Sequence, residues 1–395
     1  MKVLMFGWEF PPFSSGGLGT HCYSLTKALS KKNVNITFVM PGESGDIDSD
    51  FIKVIKADMG KIIRVASSLK PYVPSVSMNI RIRVSGKPRE VYGWDFFSKV
   101  QRYTELAYEA VSEESFDVIH CHDWMTFPVG IRVRERSGKP LVVTVHSTEF
   151  DRTGSLNPNP WITHIEWSGV HYADKVITVS NYMKKQLIQR YSVPEKKIEV
   201  IYNAVRSEDF VPERISFGLD DRIVLFLGRI TLQKGPDYFL EAAKLVLERE
   251  KNVKFFVVGT GDMLHSMIEK SVNLGISNNV FFTGYQPSIQ EFYRMADLYV
   301  MPSVSEPFGI AALEAMSCGT PVIVSKQSGV SEVIRHRLTV DFWDVRELAN
   351  KIIGVLRYTP VRREMSINGL KEARSFTWDD VAEKTKSLYS KLLGV

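Results

Sequence analysis

Two glutamates flank a Phe-Gly step late in the chain, in the stretch SEPFGIAALEA. Glu306 precedes a predicted helix, and Glu314 lies one turn inside it. The first amides of a helix have no intrahelical partner and attract anions, and Gly309 lets a ligand approach them. A carboxylate at Glu314 can accept two hydrogen bonds from a vicinal diol such as a ribose. The pattern indicates a nucleotide site, and the alternative is two solvated surface charges.

Two cations follow a predicted strand in LFLGRITLQKG, residues 225–235. Arg229 and Lys234 lie between two glycines, at the carboxyl end of that strand. Such a pair suits a diphosphate, and the alternative is again a pair of surface charges. The later VVGTGDM, residues 257–263, adds a glycine-rich strand exit, which by itself indicates only a tight turn.

A third glycine-rich loop, SSGGLGT, follows the first predicted strand. Gly16 and Gly17 allow the backbone to lie close to a phosphate or a sugar. The dinucleotide fingerprint GxGxxG is not formed, because Cys22 stands at its last glycine position. The second predicted strand also lacks an acidic residue at its end, so the use of NAD is disfavoured.

Histidines end two further strands. FDVIHCHDW carries His120, His122 and Asp123, and LVVTVHSTE carries His146. The His-x-His-Asp pattern permits a metal site, but no further ligand set is spaced to complete the shell. We therefore predict no metal, with hydrogen-bonding or core histidines as the simpler interpretation.

Strands and helices alternate along the chain twice, which predicts parallel sheets built from βαβ units. With 395 residues, two domains are expected. We predict an α/β protein with two Rossmann-like doubly wound domains that face each other across an interdomain cleft. The first spans 1–205 and is completed by a C-terminal helix at about 377–395, and the second spans 206–376. Residues 42–92 allow no clear assignment of helices and strands.

The composition limits the partners and the compartment. Lys and Arg number 50 and Asp and Glu 45, and this net charge of +5 suits a nucleotide diphosphate better than nucleic acid. Cys22, Cys121 and Cys318 show no metal spacing and are expected to be buried thiols in a reducing compartment. Neither a signal peptide nor a membrane-spanning run is evident. We expect a cytoplasmic protein without a transmembrane segment, while peripheral membrane contact and the oligomeric state stay open.

Several of these motifs together resemble one family, and they occur in its order: the GGLG loop, VIHCHDW, TVHSTE, ADKVITVS, GRITLQKG and SEPFGIAALEA. The family is that of the retaining glycosyltransferases that include glycogen and starch synthases and sucrose synthases. WEFPP, HCHDW and HSTEF look most like its archaeal glycogen-synthase-like branch. The resemblance implies the GT-B architecture, a nucleotide-sugar donor and no essential metal or other cofactor.

The resemblance also implies residue roles. Four residues are implied in catalysis: Glu306 beside the donor sugar, His146 at that sugar, and Arg229 and Lys234 on the diphosphate. The other donor-binding positions are Gly16 and Gly17 over the phosphates, Phe308, Gly309 and Ile310 through their amides, and Glu314 at the ribose. His122 and Asp123 would line the acceptor side.

Three positions depart from the family. Ser14 stands where the similar bacterial and plant ADP-glucose synthases share a lysine, and this difference weakens any inference of ADP-glucose selectivity. Ala204 replaces a usual glycine. The usual Asn-Gly step is missing around 336–340, and we interpret that stretch as a shortened surface turn.

The leading hypothesis is a retaining transferase that moves glucose from ADP-glucose or UDP-glucose to the non-reducing end of an α-1,4-glucan. A transferase of the same fold acting on a small sugar or a lipid is one alternative, and a nucleotide-sugar epimerase or a non-catalytic nucleotide-sugar binding protein are two others. For the mechanism, attack on the same face within an ion pair is favoured over a covalent sugar intermediate.

Overall fold

The protein is described from a computed structural model that covers residues 1–11, 17–42, 51–57, 82–84, 87–89, 93–213 and 221–395. The chain forms two compact units. The first consists of Met1–Asn203 together with Trp378–Val395, and the second of Ala204–Thr377.

The first unit is built on a parallel seven-stranded sheet whose central strands are buried on both faces, as their continuous apolar sequences predict. Its strands are β1 Lys2–Phe6, β2 Asn35–Pro41, β3 Lys53–Ala57, β6 Val118–His122, β7 Leu141–Val145, β8 Lys175–Thr178 and β9 Ile198–Val200. They lie in the order β3-β2-β1-β6-β7-β8-β9. Two short strands, β4 Ile82–Val84 and β5 Lys87–Arg89, pair with each other in antiparallel fashion. Most of the unassigned segment 42–92 lies outside the described residues.

Helices accompany the strands of the first unit. They are α1 Gly17–Lys31, α2 Gly93–Ala110, α3 Phe127–Ser137, α4 Glu149–Arg152, α5 Pro160–Tyr172, α6 Asn181–Tyr191 and α13 Trp378–Leu393. Ser180 caps α6 as expected, since its hydroxyl accepts a hydrogen bond from the amide of Met183. Helix α13, the last of the chain, packs along α1, where Lys32 and Glu383 form an ion pair at 2.9 Å.

The second unit repeats this architecture with a parallel six-stranded sheet. Its strands are β10 Arg222–Leu227, β11 Val253–Val258, β12 Val280–Gly284, β13 Leu298–Met301, β14 Val322–Ser325 and β15 Leu338–Val340. Its helices are α7 Pro236–Arg249, α8 Leu264–Asn273, α9 Ile289–Met295, α10 Ile310–Ser317, α11 Val345–Arg357 and α12 Thr359–Ala373. The strand order is β12-β11-β10-β13-β14-β15.

Each sheet is doubly wound and has one point where the strand order reverses. In the first unit this point lies between β1 and β6, and in the second between β10 and β13. Ligands of such sheets bind outside the carboxyl ends of the strands at this point. The prediction of two Rossmann-like α/β domains is confirmed.

One interpretation of the sequence is wrong. The stretch around 336–340 is not a surface turn, because Leu338–Val340 forms β15 and pairs in parallel with β14. Its three residues are too few for periodicity to distinguish a short edge strand from a loop.

Each unit has its own apolar core, formed between the sheet and its helices. No helix among the described residues combines the length and the apolar character needed to cross a bilayer.

Candidate active site

The cation-bearing loop of the second unit leaves β10 at the reversal point of its sheet. Arg229 lies two residues beyond the end of β10, after Gly228, and is partly buried, while Lys234 ends a short 3-10 turn, Leu232–Lys234. The neighbouring loop after β11 supports this one, because the amide of Ile230 donates to the carbonyl of Thr260 at 2.9 Å. The two loops are so close that a Cβ on Gly261 would lie 2.1 Å from the Ile230 oxygen. The glycines of VVGTGDM therefore allow one loop to pack on the other.

Lys234 and Glu306 form an ion pair across the two strands that flank the reversal point. Lys234 Nζ lies 2.5 Å from Glu306 Oε2, and the hydroxyl of Ser303 donates to the same oxygen at 3.2 Å. The Glu306 side chain is only 8% exposed, whereas that of Lys234 is 23% exposed. A buried carboxylate of this kind needs such partners, which fix its position.

The backbone of Glu306 is also fixed. Its amide donates to the carbonyl of Gln327, and its carbonyl accepts from the amide of Gly329, each at 2.9 Å. Both partners belong to the loop after β14. The SEPFG loop is therefore held between two strand exits.

Helix α10 begins directly after this loop. Gly309 precedes it with a φ of +107°, a conformation that favours glycine, and Ile310 is the first helical residue. The side chain of Phe308 is buried, and its carbonyl accepts a hydrogen bond from the amide of Val330 at 2.7 Å. The predicted amide positions thus lie at the start of α10, where the helix dipole is positive.

Glu314 lies in the second turn of α10 and accepts a hydrogen bond from the Tyr293 hydroxyl at 2.9 Å. Burial raises the pKa of Glu314 to about 7, although Tyr293 and the charge of Arg206 act in the opposite direction. Burial raises the pKa of the Tyr299 hydroxyl on β13, and the charges of Glu306 and Glu314 raise it further.

The predicted site residues of the first unit also meet at its reversal point. His122 ends β6 and His146 follows β7, and Nδ1 of His122 lies 3.1 Å from Nε2 of His146. The backbone amide of His146 donates to Oδ1 of Asp123 at 2.6 Å. Asp123 itself has a φ of +62°, a strained conformation typical of functional sites.

The histidines of this group are uncharged. Loss of hydration, followed by the effect of His120, lowers the pKa of His146 to about 3, and burial lowers the pKa of His122 well below its usual value. Neutral imidazoles at physiological pH are able to accept hydrogen bonds and to ligate metals.

Two residues near this group, His21 and Asn203, were not identified as site residues from the sequence. His21 of α1 packs edge-on against His146, with ring centroids 4.4 Å apart, and its Nδ1 lies 2.9 Å from Oδ1 of Asn203. Only the fold brings His21 of α1 to the ends of β6 and β7. A single histidine within a helix does not indicate such a position in the sequence.

Arg152 is a third residue that sequence reasoning missed. Its guanidinium, 1% exposed, donates to the carbonyl of Ser147 at 3.2 Å and to the Glu166 carboxylate at 2.6 Å. The loop that directly follows His146 is therefore clamped by a buried ion pair. The sequence HSTEFDR contains the arginine, but nothing in its spacing indicates that the side chain is buried.

Gly16 and Gly17 are the two glycines predicted to lie over the donor phosphates. Gly16 lies outside the described residues. Gly17 begins α1, and a Cβ added there would meet no atom within 4 Å.

Chemically, the second unit combines two cations, the positive end of a helix and two largely desolvated carboxylates at one sheet edge. Such an edge can bind a phosphorylated ligand and stabilise negative charge that develops on it. The first unit presents neutral imidazoles beside a buried carboxylate.

Two family models match the chain. The model described as Glycosyltransferase Family 4 matches residues 15–209, and that described as Glycosyl transferases group 1 matches residues 207–372. Together they span both units.

Curated relatives match over most of the sequence. An uncharacterised glycosyltransferase of Methanocaldococcus jannaschii is 33% identical, with 98% of each chain covered. A D-inositol 3-phosphate glycosyltransferase of Thermobispora bispora is 30% identical, with 75% of each chain covered.

Solved structures share the fold at lower identity. Sucrose-phosphate synthase of Thermosynechococcus elongatus superposes with a TM-score of 0.80 at 22% identity, covering 100% of this chain and 99% of the other. The catalytic domain of starch synthase IV of Arabidopsis thaliana, bound to ADP and acarbose, gives a TM-score of 0.74 at 16% identity, with 100% and 99% covered. With its two matching family models and its full-length relative, the chain belongs to the group 1 glycosyltransferases of the GT-B fold.

Proposed function

We propose that this glycosyltransferase moves glucose from ADP-glucose or UDP-glucose, with retention of configuration, to the non-reducing end of an α-1,4-glucan. The observation that carries the donor part is the convergence of Arg229, Lys234, Glu306 and the start of α10 at the reversal point of the second sheet. A nucleotide diphosphate carries the charges and the diol that such a site recognises.

The chemistry follows from where charge develops. Cleavage of the anomeric bond leaves negative charge on the diphosphate and positive charge on the sugar ring. In our proposal Arg229, Lys234 and the amides of Phe308, Gly309 and Ile310 stabilise the first, without a metal ion. We assign Gly16 and Gly17 to the phosphates and Glu314 to the ribose.

The sugar end is assigned to Glu306 and His146. A carboxylate beside the ring stabilises positive charge, and a neutral histidine accepts a hydrogen bond from a hydroxyl group. We favour attack on the same face within an ion pair, because Glu306 is held by Lys234 and Ser303. His122 and Asp123 are assigned to the acceptor side, and the three buried free cysteines agree with a cytoplasmic enzyme.

A second candidate acceptor is a small phosphorylated polyol. It is favoured by the relatives named as D-inositol 3-phosphate glycosyltransferases, which are 30% identical to this chain. In this reading the donor site is unchanged, and only the acceptor differs.

The test is a matrix of donors and acceptors with purified protein in the presence of EDTA. ADP-glucose and UDP-glucose are each combined with glycogen, with maltooligosaccharides, with inositol 3-phosphate, with a lipid extract or with no acceptor. Nucleotide release that depends on the glucan, together with α-linked elongation seen by NMR, supports the proposal. Release that depends only on inositol phosphate or on lipid assigns the other acceptor, and loss of turnover in EDTA refutes metal independence.

A further inference from the structure

A cluster of three histidines in the first unit offers more ring nitrogens than the transfer reaction uses. His21 comes from α1, His122 from the end of β6 and His146 from the loop after β7. One ring nitrogen of each lies within 4.8 Å of the other two. Three imidazoles that converge from three elements are the ligand set of many zinc sites.

The hydrogen bonds of His21 leave the required lone pair available. Nδ1 of His21 lies 2.9 Å from Oδ1 of Asn203, an acceptor, so the proton of this neutral ring belongs on Nδ1. Its Nε2 is buried and has no hydrogen-bond partner in the part of the chain that the structure describes. A histidine whose second nitrogen donates to a carbonyl oxygen is oriented as metal-bound histidines are.

His122 gives the same indication independently. Its Nε2 is also buried without a partner among the described residues, although its Nδ1 contacts His146. A buried nitrogen without a partner is destabilising, so two in one cluster are unlike ordinary core packing. By contrast, both nitrogens of the neighbouring His120 have partners, the hydroxyls of Tyr389 at 2.5 Å and Thr144 at 2.7 Å.

Charge and access also suit a cation. The buried Asp123 carboxylate lies next to the cluster, on the backbone amide of His146, and provides compensating negative charge. His21 and His122 are buried, whereas His146 is partly exposed, so an ion can reach the group past His146 and keep a water molecule as its fourth ligand.

We propose that His21, His122 and His146 bind one zinc-like divalent transition-metal ion, and that this ion inhibits the transferase. With Nδ1 of His122 donating to Nε2 of His146, metal binding requires the His146 ring to turn and give up this hydrogen bond, which frees its lone pair. The three ligand nitrogens of a tetrahedral site with bonds of about 2.0–2.1 Å then lie about 3.4 Å from one another. Inhibition rests on the proposed function, in which His146 serves the transferred sugar, because a metal-bound His146 is no longer available to it.

Binding is tested with metal alone, in the absence of substrate. Protein stripped with a chelator is titrated with Co²⁺, and the visible absorption of tetrahedral cobalt is followed. We expect one equivalent, displaced by Zn²⁺, and loss of the signal in His21→Gln and His122→Gln. His120→Gln and the exposed His164→Gln are matched controls that keep it. An anomalous zinc peak at the three rings in wild-type crystals gives the same answer without any variant.

Absence of the cobalt spectrum, or an unchanged spectrum in His21→Gln, overturns the site. The regulatory part is tested by adding Zn²⁺ to transfer assays: wild type is inhibited, and His21→Gln keeps its transfer activity but resists zinc. Equal inhibition of both overturns the regulatory role. If cobalt binds but no donor and acceptor pair reacts, the proposed function fails and the metal site stands.

Discussion

At the scale of single residues, the second unit pairs a lysine with a glutamate at the predicted donor site. Lys234 and Glu306 come from different strand exits and meet at 2.5 Å. The sequence predicted both residues as parts of a donor site, but not their mutual pairing, because 72 residues separate them. Their assigned roles at the diphosphate and at the sugar stay predictions.

Glu306→Gln should lower turnover by about 10²–10³ while changing donor affinity far less. The substitution keeps the shape of the side chain and its neighbours but removes the charge that stabilises the sugar cation in the transition state. Turnover number and dissociation constant are measured separately, by nucleotide release and by calorimetry. Glu248→Gln, on the outer surface of α7, is the control, and wild-type turnover in Glu306→Gln would refute the assigned role.

The role proposed for Glu314 at the ribose predicts that donor binding depends on pH. With a pKa of about 7, its carboxyl group loses its proton as the pH rises through neutrality, and only the ionised form accepts two hydrogen bonds from a ribose. The affinity for a nucleotide-sugar should therefore increase from pH 6 to pH 8, roughly one unit on either side of that pKa. A nucleotide-sugar is the suitable probe, because its diphosphate diester does not titrate there. In Glu314→Gln the profile should be flat, and identical profiles for both proteins would contradict this role.

At the scale of elements, loop packing positions the cations. The β11 exit lies against the β10 exit, with Gly261 in contact with the backbone of Ile230. Arg229 directly precedes Ile230, so a shift of the β10 exit displaces Arg229.

Gly261→Ala should weaken nucleoside diphosphate binding about tenfold, or about 1.4 kcal/mol, because the added methyl group pushes the Ile230 carbonyl away. The unit should still fold, since both loops lie at the end of the sheet. Gly354→Ala in α11 is the matched control, because a Cβ there meets no atom within 4 Å and alanine favours a helix. Calorimetry with ADP and UDP measures the effect. Unchanged affinity in Gly261→Ala would separate this contact from donor binding.

The order of helices and strands was predictable where periodicity was long and strong. β12 was predicted with its observed limits, and the Ser180 cap of α6 was read from the sequence. The three-residue β15 was missed because its sequence is too short for a period. The histidine cluster could be predicted only in part, since His122 and His146 end adjacent strands whereas His21 reaches them through the packing of α1.

At the scale of the whole molecule, buried uncharged histidines tie stability to pH. Burial lowers the pKa values of His21, His120, His122 and His146, to about 3 for His120 and His146. In the unfolded chain these side chains have a pKa of about 6.5. Their contribution to stability is thus fully present above that pH and is lost as the pH falls toward the folded-state values.

Each such histidine should reduce the free energy of unfolding by about 1.4 kcal/mol per pH unit below about pH 6. Urea denaturation between about pH 7.5 and pH 5 measures this slope. Burial raises the pKa values of Glu314 and Glu166 to about 7, so these two carboxylates take up protons in the folded state over the same range and offset part of the histidine slope. His120→Gln should lower the slope by one histidine's share, whereas the exposed His164→Gln should not. A free energy of unfolding that stays constant over this range would contradict the burial of the four rings.

The central claim is that the second unit holds the diphosphate of a nucleotide-sugar at the carboxyl ends of β10 and β13. A crystal structure with ADP or UDP bound tests it most directly. We predict the phosphates on Arg229, Lys234 and the first amides of α10, with the ribose on Glu314. A nucleotide found anywhere else in the protein would contradict the account.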